Sequence, residues 1–224
     1  MCSRSEAARW IAAGRVSVAG HVRLDPEFPT TESTEIAVDG APLARVQRCY
    51  VALNKPRGLI TTTTDERGRD TVYRCFDGAS LPWLAPVGRL DKASEGLLLF
   101  CNDPRWADAI TDPLRGPGKT YHVQVDRIPD AASLASMVAG MDVEGGRLRA
   151  ASARLLRTGD KHAWLEIVLD EGRNRQIRRL LEALDIRVLR LVRVAIGPVE
   201  LGDLAKGAWR VLDEAEVRAL VAGS

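Results

Sequence analysis

Three apolar patterns recur along the chain. The first is strict alternation. From Lys119 to Asp126, Tyr121, Val123 and Val125 face one way while His122, Gln124 and Asp126 face the other, as in a half-buried strand. The second is a continuous run, Leu97–Leu98–Leu99–Phe100, which predicts a strand buried on both faces. The third has helical spacing. Ile177, Leu180, Leu181 and Leu184 fall at i, i+3, i+4 and i+7 and predict a helix over 174–184. On that helix Arg175 and Arg179 project from the opposite face. Arg178 sits at the edge beside Leu181, placed to reach inward to a cleft.

Weaker signals fill in the rest. Ser3 and Glu6 have capping-box spacing, Ala7, Ala8, Trp10 and Ile11 form an apolar stripe, and Gly14 ends the helix. Val16, Val18 and Val22 flank an Ala19–Gly20 turn, the pattern of a tight hairpin, and a short strand is expected near Glu35–Val38. The stretch YVALNKPRGLI reads as a strand entering a turn at Lys55–Pro56–Arg57–Gly58. Residues 61–80 read as a polar loop marked by Asp65, Glu66, Arg67, Gly68 and Arg69. A helix over 130–140 follows, then strands over 147–156 and 163–170, a strand in VLRLVRVAIG, and a short helix from Asp213. Strands and helices are interspersed without a regular βαβ rhythm. The expected class is therefore α+β with a mixed, mostly antiparallel sheet. Residues 1–45 form a small separate unit and 46–224 a larger one.

Composition narrows the function. No apolar run approaches the roughly 20 residues that span a bilayer, and the first residues are polar, so a cytoplasmic protein is expected. The cysteines at 2, 49, 75 and 101 form no C-x-x-C pair, and His21, His122 and His162 are scattered; reduced thiols and no metal site are expected. The net charge is only +2, but 27 of the 32 basic residues are arginine. Arginine's planar fork suits phosphates and base edges, and a GC-rich genome favours it equally. Its densest run lies between Glu171 and Arg193, with arginines at 173, 175, 178, 179, 187, 190 and 193 against acids at 171, 182 and 185. Such a run suits a phosphodiester backbone, or a solvated, salt-bridged helix face. No interleaved aromatics suggest a base-stacking sheet. There is no phosphate loop, dinucleotide fingerprint or nucleophile elbow, so no cofactor is expected. A methyltransferase, which needs a glycine-rich nucleoside loop, is disfavoured. Asp91, between Gly88 and Gly96 just before the buried strand, is placed for catalysis, although the same residue also fits a turn or a surface ion pair.

The motifs gain meaning together. GRLDKASEGLLLF (88–100), KTYHVQV (119–125), EGRNRQIRRLLEAL (171–184) and LRLVRVAIGPVELGDLAKGAWR (189–210) follow LNKPRGLITTTTDERGR (53–69) in order. This set closely resembles the RsuA-type family of bacterial ribosomal-RNA pseudouridine synthases over about 46–224. Residues 1–45 resemble the small S4-like α/β RNA-binding unit of that family, shortened before the Cys2–Ser3–Arg4 segment. The resemblance implies that Asp91 is the catalytic aspartate, Tyr121 the active-site tyrosine and Arg178 the cation paired with Asp91. It places Leu191 against the base and Arg89 on RNA around the flipped nucleotide. Lys119, Arg173, Arg175 and Arg179 are further RNA contacts, with Arg4, Arg9 and Arg15 in the N-terminal unit. The implied reaction converts a uridine of ribosomal RNA, preferably large-subunit, to pseudouridine without cofactor. The implied partner is ribosomal RNA or a pre-ribosomal particle, and the enzyme is expected to be a monomer. The residues leave open whether Asp91 attacks C1′, attacks C6 or takes a sugar proton. A non-catalytic RNA-binding factor on the same fold is the main rival, and the intact R-L-D, K-x-Y and R-Q-I-R motifs argue against it.

Overall fold

A computed structural model describes every residue except 1, 3, 32, 45–46, 64–67 and 223–224. The expected Ser3 cap, the 45/46 boundary and the Asp65–Arg67 loop markers lie outside the described residues. Helix α1 (Arg4–Ala12) ends before Gly14, as its spacing predicts. Strands β1 (Val16–Val18) and β2 (His21–Val22) form the expected hairpin. Its turn residues Ala19 and Gly20 both have positive φ, the geometry that matches the twist of tightly joined strands. Strands β3 (Ile36–Val38) and β4 (Ala41–Pro42) complete a four-stranded sheet in the order β2-β1-β3-β4.

The larger unit carries a nine-stranded sheet. Its elements are β5 (Tyr50–Lys55), β6 (Ala85–Val87), β7 (Glu95–Cys101), helix α2 (Pro104–Thr111), β8 (Lys119–Val125) and helix α3 (Ala131–Ala139). A small hairpin of β9 (Met141–Val143) and β10 (Gly146–Leu148) leads to β11 (Ser152–Thr158) and β12 (Ala163–Leu169). Helix α4 (Gln176–Glu182), β13 (Val188–Ile196), β14 (Val199–Glu200), β15 (Trp209–Val211) and helix α5 (Glu214–Ala219) finish the chain. The main order is β11-β12-β8-β13-β7-β5-β15. Every pairing along it is antiparallel except β13 with β7, so the sheet is mixed and mostly antiparallel, as expected.

The parallel junction depends on one glycine. Gly96 on β7 has φ of +104°, and a Cβ there would collide with the backbone of Arg193 on β13. Two apolar layers cover the sheet. Leu98, Phe100, Tyr121, Val123, Leu165, Ile167 and Leu180 belong to one, and Leu97, Leu99, Trp106, Ile110 and Leu220 to the other. All seven residues of β7 are buried, which explains its unbroken apolar run.

Three expectations need correction, and one helix lies outside them. The helix expected over 174–184 begins at Gln176, because Arg175 adopts a left-handed conformation with φ of 50° at the N-cap. The strand expected over 147–156 is split between β10 and β11. Within the supposed polar loop 61–80, Val72–Phe76 form a 3₁₀ turn whose Val72 is fully buried; Tyr73 and Phe76 pack edge-on against Phe100. Alternation and helical spacing are both invisible over so short a turn. Helix α2 was not expected, although Asp103 caps it by accepting from the amides of Arg105 and Trp106, with Pro104 following.

Candidate active site

The loop from Gly88 to Ser94 joins two strands and is fixed from beneath. Thr61 donates its hydroxyl to the Leu90 carbonyl at 2.8 Å. Lys55 is fully buried at the end of β5, and its ammonium donates to the carbonyls of Pro56 (3.1 Å), Asp91 (3.2 Å) and Ser94 (2.9 Å). Burial pulls its pKa down to about 8, and the Asp91 charge opposes that shift. Three carbonyls thus replace the water that a buried ammonium loses. The Asp91 backbone is held rigidly while its side chain remains exposed.

A cleft of about 310 Å³ opens over this loop. Asp91 and Arg89 stand on one wall, Tyr121 on β8 and Leu191 on β13 form part of the apolar lining, and Arg173, Arg175 and Arg178 approach from the start of α4. Tyr121 is 9% exposed and Leu191 6%, so both present a packed surface to whatever enters. Lys119 is half-buried, and its pKa is lowered by burial first and then by the charge of Arg193. Arg178 reaches inward as its position at the edge of the helix suggests. Its Nη2 donates to the Ala93 carbonyl at 3.4 Å, while its Nε is buried without a partner. Burial and then Arg175 lower its pKa, and Asp91 acts the other way. Asp91 and Arg178 therefore sense each other without a direct ion pair among the described residues. The cleft combines an exposed, rigidly mounted carboxylate, a desolvated cation, an aromatic and an aliphatic wall, and a basic rim. This is a site for acid–base or nucleophilic chemistry on a planar, anionic substrate.

Residues 49–183 match the RNA pseudouridylate synthase family, and residues 1–36 match the S4 domain family. The chain is a member of the RNA pseudouridine synthase family. These enzymes are isomerases. Ribosomal large subunit pseudouridine synthase B of Bacillus subtilis is 35% identical over 98% of this chain and 91% of its own length. Ribosomal large subunit pseudouridine synthase E of Xanthomonas campestris is 38% identical over 75% of this chain and 97% of its own. A crystal structure of a pseudouridylate synthase superposes with a TM-score of 0.71 at 29% identity, covering 98% of this chain and 94% of that one.

In this pseudouridine synthase the cleft gathers Asp91, Tyr121, Arg178, Arg89, Leu191, Lys119, Arg173 and Arg175. It does not gather Arg179, whose guanidinium bonds the Glu144 carbonyl between β9 and β10. The expectation that Arg175 and Arg179 share a helix face is thus wrong, because Arg175 lies before the helix. Nor is the 173–193 arginine run one surface. Arg187 faces Asp126, Arg190 is held by buried Glu95, and Arg193 is 5% exposed inside the cleft. Arg4 and Arg9 are exposed on α1, away from the cleft lining. Arg15 is occupied by Asp39 through its Nε at 3.0 Å and Nη2 at 2.5 Å. Sequence reasoning missed Lys55; the only trace of it was a lysine before the Pro56 turn.

Proposed function

We propose that this enzyme converts a uridine of large-subunit ribosomal RNA to pseudouridine with Asp91 as its catalytic carboxylate. The observation that carries the reading is the exposed Asp91 carboxylate, mounted on a backbone tied down by Lys55, at the mouth of a cleft walled by Tyr121 and Leu191. The large-subunit assignment rests on what the relatives from Bacillus subtilis and Xanthomonas campestris are named for. In the reaction the N1–C1′ bond breaks, the uracil turns, and C5 joins C1′. The C5 proton is lost and N1 gains one, so no electron leaves or enters overall.

The base must leave its stack to be reached. Tyr121 and Leu191 sandwich the flipped uracil and exclude water. Arg178 reaches into the cleft beside the Asp91 loop, where its Nη2 donates to the Ala93 carbonyl, and orients the aspartate. Arg89, Lys119, Arg173 and Arg175 neutralise phosphates along the rim. Residues 1–45 act as an S4-like RNA-binding unit through Arg4 and Arg9, and 46–224 form the catalytic domain. The enzyme works as a cytoplasmic monomer on ribosomal RNA or a pre-ribosomal particle. Carbodiimide-adduct primer extension on unmodified ribosomal RNA and on pre-ribosomal particles tests this. A stop at one uridine after treatment with wild-type protein is expected, and its absence with Asp91→Asn. Protein that binds both substrates and leaves no stop on either would overturn the reading in favour of a binding factor.

A further inference from the structure

Arg193 is the least explained charge in the molecule. It is 5% exposed and belongs to the lining of the cleft. Its strand register pairs it with Tyr121 across β13 and β8, so the two side chains leave the same face of the sheet side by side. On its other flank it opposes Gly96, whose missing Cβ lets the two backbones meet. One donor is used: Nε bonds the Leu97 carbonyl at 2.7 Å. Nη2 is buried with no partner. Among the described residues no carboxylate lies within ion-pair distance of this guanidinium. Its charge is instead felt by two cations, half-buried Lys119 and fully buried Lys55, whose pKa values it helps to lower. A buried cation with an idle donor, and with cations for neighbours, is costly to keep in a packed core. A ligand oxygen that arrives with the substrate would satisfy both deficits.

The position of Arg193 indicates which oxygen. Arg89, Arg173 and Arg175 are exposed at the rim, where a fully charged phosphate keeps much of its water. Arg193 is nearly buried, and its strand register sets it next to Tyr121. A neutral uracil edge reaches that depth at lower desolvation cost than a phosphodiester. The uracil also becomes anionic exactly when chemistry occurs. When the electron pair of the N1–C1′ bond stays with the base, or when a carboxylate adds to C6, negative charge spreads onto the carbonyl oxygens. It returns to the ring as C5 bonds C1′, C5 loses its proton and N1 gains one.

We propose that the Arg193 guanidinium, on the lining of the cleft, binds a carbonyl oxygen of the flipped uracil and stabilises the charge that gathers there during the isomerisation. This rests on the pseudouridine synthase reading and adds to it a group that acts mainly in the transition state. Arg178 serves the aspartate; Arg193 serves the base.

The test compares full-length wild type, Arg193→Met and Arg193→Lys on RNA whose target nucleotide is uridine, 2-thiouridine or 4-thiouridine. Sulfur is a poor hydrogen-bond acceptor, so each thio substitution weakens one carbonyl contact. Arg193→Met is expected to lower kcat roughly 10²–10³-fold. RNA affinity, its salt slope and the melting temperature should stay near wild type, and Arg193→Lys should recover part of the loss. Thio substitution at the contacted oxygen should slow the wild type but add little to the Met variant, while the other substitution slows both alike. Additive effects at both positions, or an undiminished kcat, would overturn the assignment. A weaker affinity with a salt slope reduced by about one would make Arg193 a phosphate contact instead. A melting temperature that falls in step with kcat would make it structural. Wild-type silence on the uridine RNA would contradict the isomerase reading itself, and this inference with it.

Discussion

The two faces of the central sheet use arginine in opposite ways. On the face away from the cleft, each guanidinium has a companion. Arg154 donates to Glu166 at 2.7 Å, Arg190 grips buried Glu95 at 2.6 Å and 3.1 Å, and Arg157 lies over the Trp164 ring. Glu95 is also held by Lys206 at 2.6 Å, and its pKa falls to about 2, chiefly through the hydrogen bonds from Arg190. In and around the cleft, Arg89, Arg175, Arg178 and Arg193 have no carboxylate within ion-pair distance among the described residues; Arg173, paired with Glu171 at 2.9 Å, is the exception. The same side chain therefore stabilises the fold on one face and waits for a substrate on the other. Charge left without a counter-ion is a better guide to this site than the number of arginines.

The sharpest way to break this contrast is to remove one charge from each face. Arg178→Met should lower kcat by roughly 10²–10³-fold while the melting temperature holds, because Arg178 has little else to stabilise. A stability loss without a rate loss would reverse its placement. Glu95→Gln should do the opposite. It strips the carboxylate from Arg190 and Lys206 and should cost about 3 kcal/mol in urea unfolding at pH 7, with kcat little changed. The pH dependence has a definite sign. The folded pKa of Glu95, about 2, lies below its ordinary value of 4.5, so its contribution is complete above about pH 4.5. That contribution is lost as pH falls through about 2, and the wild-type advantage over Glu95→Gln should shrink across that window. A gap that stays constant from pH 7 to pH 2 would contradict the pairing.

Smaller effects separate two arginines that are close in sequence. Arg175→Ala should weaken RNA binding and reduce the salt slope of the affinity by about one. Arg179→Ala should leave binding and slope unchanged and cost only about 1 kcal/mol of stability, because its partner is the Glu144 carbonyl. Equal effects on binding would restore the shared face that the helical spacing suggested.

That pair also shows how far the sequence could be read. Regular elements were legible because their periodicity is a packing requirement. The alternation at Tyr121, Val123 and Val125 and the unbroken run of β7 both reappear as burial. The face on which Arg175 stands was not legible, because a single left-handed residue moves the helix start and turns the side chain toward the cleft. Lys55 and Arg193 were hidden for a different reason. Their importance comes from partners far away in sequence: the Asp91 and Ser94 carbonyls for Lys55, and the Leu97 carbonyl for Arg193. No local spacing records such contacts. Ordered motifs marked Asp91, Tyr121 and Arg178, and the fold brings all three to one cleft.

The central claim is that the Asp91 carboxylate drives loss of the C5 proton from one uridine. Ribosomal RNA carrying tritium at uridine C5 measures this directly, since each pseudouridine formed releases one label to water. Wild type should release label in proportion to the target site. Asp91→Asn should bind the same RNA with similar affinity and release label at least about 10⁴-fold more slowly. Release by Asp91→Asn at close to the wild-type rate, or loss of binding and release in parallel, would contradict the account.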